Sequence, residues 1–142
     1  MKDLIRKLPR DIVLLIIPYT YNLQPKPLLN DIVNYKETKT TLFELYHKYW
    51  IVEIQSPDPE EDKNWLINDI FAYSNSYTAT MNGGYIDKFY NIFKRNNYLQ
   101  TKEKIDNYVN NMEKKNVVSQ INIFLGLLTI QERNEILSQF SF

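Results

Sequence analysis

From Leu28 to Phe140 apolar side chains return at three- and four-residue intervals, and Pro or Gly interrupts the pattern at only a few places. That spacing lays one apolar stripe along each of a series of helices; a half-buried strand would alternate every two residues instead. Leu28, Leu29, Ile32, Val33 and Tyr35 mark one face, and Leu42, Phe43, Leu45, Tyr46, Tyr49 and Trp50 the next. Trp65, Leu66, Ile70 and Tyr73 follow, then Tyr85, Phe89, Ile92 and Phe93, then Ile105, Tyr108, Val109 and Met112. Val117 to Leu128 is the most apolar stretch of this part, and Ile136, Leu137 and Phe140 close the series. The pattern predicts an all-α protein, with no strand pair, no internal repeat and no low-complexity segment.

The punctuation divides these helices. Pro25 and Pro27 lie too close together for a helix to run through both, and Pro27 suits a first helical turn. Lys36 to Thr41 is wholly polar, which predicts a break near Thr38. Trp50 to Ile54 either finishes a helix or runs extended. Gln55 to Asp62 holds Pro57 and Pro59 and is the best internal boundary, with Asp58 as an N-cap and Pro59 at the first helical position. Two regions result, residues 1–55 and residues 56–142. Asn82-Gly83-Gly84 marks another break, Thr101 a cap, and Thr129 with Glu132 a capping box.

A chain of 142 residues that is 44% hydrophobic and 14% aromatic has the material for a real core. Lys and Arg number 17 and so do Asp and Glu, so the basic excess of a general phosphate binder is missing. There is no cysteine and one histidine, His47, which removes disulfides, thiolate catalysis and ordinary zinc sites. No cofactor or metal is expected. The longest N-terminal apolar run, Ile12 to Pro18, is too short to span a bilayer, and Arg10 and Asp11 crowd it. The expectation is a protein without a membrane partner that stays inside the cell.

Candidate chemistry is sparse. Glu60, Glu61 and Asp62 cluster, but an acidic first turn explains them through the helix dipole. Asp69 and Asp87 adjoin aromatic residues without a nucleophile or ligand set beside them. His47 reads as a surface or half-buried helix residue, the tyrosines as packing groups, and Gly83-Gly84 lacks the Lys-Ser/Thr sequel of a phosphate loop. A non-enzyme is expected. What remains is the run Ile12 to Ile17, apolar all round, which needs cover on more than one side.

The stretch Leu8-Pro9-Arg10-Asp11-Ile12-Val13-Leu14-Leu15-Ile16-Ile17-Pro18-Tyr19 resembles the first helix of an F-box, and Leu23 to Leu29 is similar to the linker into its second helix. Residues 5 to 50 together resemble the short F-box-like proteins of large and giant DNA viruses. In place of the family's usual Val-Cys-Lys-x-Trp close of the third helix stands Tyr46-His47-Lys48-Tyr49-Trp50, a displaced counterpart. The resemblance implies an intracellular adaptor of a ubiquitin ligase complex, in the cytoplasm of the host cell or the virion. Leu8, Pro9, Ile12, Ile16 and Leu28 would face a Skp1-type subunit, and residues 58 to 142 would recruit a target. The alternative is a virion-associated or structural viral protein that packs against other viral proteins. Physically, the adaptor that the resemblance implies is a helix laid into a hydrophobic groove, with spaced aliphatic anchors.

Overall fold

The computed structural model describes residues 26–77 and 85–139. These form six α-helices and one π-helical segment, with no strand among the described residues, so the fold is all-α. Helix α1 spans Lys26–His47, and the π segment Lys48–Glu53 follows it directly. Then come α2 (Glu61–Ser74), α3 (Asp87–Phe93), α4 (Lys102–Met112), α5 (Val117–Leu127) and α6 (Ile130–Gln139). Contacts group the chain into two compact units, residues 1–33 and residues 34–142.

The break expected near Thr38 does not exist: α1 runs through the polar stretch unbroken. Thr38, Leu42 and Tyr46, each four residues apart, are all buried, and Thr38 is 1% exposed. Their burial outweighs the weak helix propensity of Thr38, Thr40 and Thr41, which is worth only a few tenths of a kcal/mol each. The apolar Trp50 to Ile54 stretch completes the helix by widening it. Ile54 donates its N–H to the Tyr49 carbonyl, a five-residue loop, and Gln55 then turns the chain at φ 58°. That left-handed backbone costs a non-glycine residue about 1 kcal/mol.

Within residues 34–142, α2 is the organising element. It packs against α5, the π segment and α3, while α3 also packs on α4. Leu66 and Ile70 on α2, Phe89 and Phe93 on α3, Ile105 and Val109 on α4, and Ile121 and Phe124 on α5 are completely buried. Burial of each such side chain contributes about 1.5–3 kcal/mol. Phe124 belongs to an aromatic cluster centred on Phe89, with ring centroids 4.9 Å from Phe71 and 5.2 Å from Phe93, both edge-on.

The helix starts follow local chemistry. Thr101 Oγ1 accepts the N–H of Lys104 at 3.2 Å, as its place before α4 predicts. Thr129 and Glu132 form the full reciprocal box: Thr129 Oγ1 accepts from Glu132 N at 3.2 Å, and Glu132 Oε1 accepts from Thr129 N at 2.8 Å. Asn116 caps α5 in the same way, accepting from Ser119 N at 2.9 Å. Asp58 differs from expectation. It binds the N–H of Glu60 at 2.9 Å and so fixes a turn over Pro59, and α2 proper begins only at Glu61.

Candidate functional site

Of the five residues the sequence assigns to a partner interface, Leu8, Pro9, Ile12 and Ile16 lie outside the described residues. Leu28 is described, on the first turn of α1, and is 44% exposed. Leu29, Ile32 and Val33 are exposed with it, at 43%, 49% and 54%. Positions i, i+1, i+4 and i+5 share one side of a helix, so the four make a continuous aliphatic stripe. Periodicity identified this face in the sequence.

Asp69, Glu135, Asp106 and Asp62 are engaged in structure. Tyr46 Oη donates to Asp69 Oδ2 at 2.6 Å, which ties α1 to α2. Tyr73 donates to Glu135 and joins α2 to α6, and Tyr90 donates to Asp106 at 2.8 Å and joins α3 to α4. Burial raises the Asp69 carboxyl above its ordinary range, and the Tyr46 hydrogen bond only partly offsets it. Asp62, expected on a solvated first turn, is buried at 4% exposure. Its Oδ1 accepts the N–H of Lys63, and its Oδ2 lies 3.5 Å from His47 Nδ1. His47 itself is an exposed helix-end residue, as its sequence position suggests.

Arg95 is a cross-brace that the sequence did not single out. Its Nη1 donates to the Leu127 carbonyl at 2.9 Å and to Glu132 Oε1 at 2.5 Å. Burial pushes Glu132 upward, but the hydrogen bonds from Arg95 and Thr129 outweigh it and hold the carboxyl below its usual range. No group of three His, Asp or Glu side chains suited to a metal occurs among the described residues. Nor is any described helix long and apolar enough to cross a membrane.

A second surface feature surrounds the π segment. Trp50 and Trp65 stack with centroids 4.8 Å apart and planes 3° from parallel. Trp65 is 41% exposed and donates from Nε1 to Glu61 Oε1 at 2.8 Å. Ile54, at the end of the π segment, is 52% exposed. Sequence reasoning placed both tryptophans on apolar faces but did not bring them together, because a loop with two prolines separates them. No protein-family model, curated protein or solved structure matches the chain.

Proposed function

We propose that this chain is a protein–protein adaptor of F-box-like type, which docks a Skp1-type subunit through residues 8 to 33 and recruits a target through its helical remainder. One observation carries the docking half: the aliphatic stripe Leu28, Leu29, Ile32 and Val33 stands exposed on the first two turns of α1, next in sequence to the F-box-like stretch. Exposed aliphatics at helical spacing are the anchors a helix offers to a partner's apolar groove. The resemblance of Leu8 to Tyr19 to an F-box first helix supplies the kind of partner. Binding in place of catalysis agrees with Asp69, Asp106 and Glu132, which are committed to a tyrosine, a tyrosine and an arginine.

Calorimetric titration of the full chain with a purified Skp1-type subunit tests the reading. Wild type binds. Leu8→Ala with Pro9→Ala, and separately Leu28→Asp with Ile32→Asp, lose about tenfold or more in affinity, while the circular dichroism melt of each moves little. Binding retained by both folded double variants, or no heat at all with wild type, removes the Skp1-type docking.

A further inference from the structure

The Trp50–Trp65 stack stands beside the most one-sided charge in the chain. Between Ile51 and Asp62 lie Glu53, Asp58, Glu60, Glu61 and Asp62, with no Lys or Arg among them. Asp62 is buried, whereas the other four reach solvent. Ile54 follows Trp50 by about one π turn, which brings it to the same side. On α2, Glu61 and Trp65 form one row a turn apart, and Glu60 and Asn64 form the adjoining row. That second row borders an open cleft of about 690 Å³ between the first turns of α2 and α5. Asp58, Glu60 and Asn64 line one wall, and Lys115, Val117 and Val118 line the other. An exposed indole, an acidic ridge and a cleft whose far wall mixes Val117 and Val118 with Lys115, Asn116 and Gln120 therefore adjoin.

We infer that this face is a docking surface for a segment of a partner protein that combines basic and apolar side chains. Charge complementarity selects the occupant. Glu61 Oε1 is fixed by Trp65 Nε1 and Asp58 Oδ1 by the Glu60 N–H, so each carboxylate is held in place and keeps its second oxygen for a cation. Lys115 on the cleft and Lys63, 4.0 Å from Glu60 Oε2, are outnumbered by Glu53, Asp58, Glu60 and Glu61. Apolar side chains of the partner rest on Trp65 and Ile54 and against Val117 and Val118, its Lys or Arg groups meet Asp58 and Glu61, and they compete with Lys63 for Glu60. Nucleic acid and acidic proteins are repelled by the same ridge. The surface uses only residues of the 34–142 unit, so it stands whether or not the N-terminal stripe docks a Skp1-type subunit.

Trp50 and Trp65 are the two tryptophans of the chain, so intrinsic fluorescence reads this face directly. The full chain is titrated with a short synthetic peptide of alternating Lys and Leu. Two control peptides carry Glu for every Lys, or Ser for every Leu. The Lys–Leu peptide gives a saturable change that weakens about tenfold in Glu60→Gln/Glu61→Gln and falls as salt rises; the controls give none. Ile54→Ser, at an exposed site, weakens binding without disturbing the stack, and circular dichroism verifies that each variant is folded. Equal binding of the Glu–Leu peptide, unchanged affinity in the folded Glu double variant, or no saturable signal overturns the inference.

Discussion

Arg133 donates from Nε to the backbone carbonyl of Leu125 at 2.8 Å while only 1% exposed. Leu125 is in the last turn of α5, where carbonyls have no partner within the helix. The same guanidinium reaches Asn34 Oδ1 at 3.3 Å and lies 5.5 Å from the Tyr35 ring centroid. One buried side chain thus closes the end of α5 and ties α6 to α1. Arg133→Met is expected to lower stability by about 3 kcal/mol, since it strands a buried carbonyl and empties the fork. Arg133→Lys restores part of the loss, because an ammonium cannot serve several acceptors in one plane. Urea unfolding measures both, and a loss under about 1 kcal/mol for the methionine variant contradicts this role.

Gly126 sits one residue before the end of α5, exposed, and a Cβ built there meets nothing within 4 Å. Glycine carries extra unfolded-state entropy without supplying a needed conformation at this site. Gly126→Ala is therefore expected to stabilise by about 0.5–1 kcal/mol, a rise of a few degrees in melting temperature. A lower melting temperature counts against a helical backbone at this position.

Tyr46, Tyr73 and Tyr90 set an alkaline limit. Burial raises all three hydroxyls, and the carboxylates that accept from them add to the shift: Tyr90 is pushed up to about 12, and Tyr46 and Tyr73 well above the ordinary value. The unfolded chain loses these protons near pH 10, before the folded one does. The stability they contribute is whole below about pH 10 and is lost as pH rises through the folded values. Urea midpoints measured from about pH 9 to 11 should fall steeply, and Tyr90→Phe should flatten the decline. A midpoint that is constant across this range refutes the assignment.

Local chemistry was legible in the sequence, and long-range chemistry was not. Thr101 and the Thr129–Glu132 box announce themselves because donor and acceptor lie three residues apart. Asn116 carried the same signal, an amide acceptor ahead of an apolar helix, and went unnoticed. Thr38 misled because its burial depends on what packs against α1, which composition does not reveal. Arg133 and Arg95 look like ordinary surface cations until the fold brings the carbonyls at the end of α5 to them. The stripe from Leu28 to Val33 was evident as a face, but spacing alone does not say whether a face is covered. The Trp50–Trp65 stack needed the geometry of the intervening loop, including the left-handed Gln55.

The π segment is in effect a phase shifter. Thr38, Leu42 and Tyr46 advance by four, and an α-helix continuing that line would bring Glu53 round to the packed side. The single widened turn delays the rotation, so that Glu53 emerges into solvent while Trp50 meets α2. One residue more or fewer between Tyr46 and Trp50 would put Tyr49 or Ile51 where the indole stands. This stretch is therefore fixed in length as well as in composition, a constraint that substitutions alone would never expose.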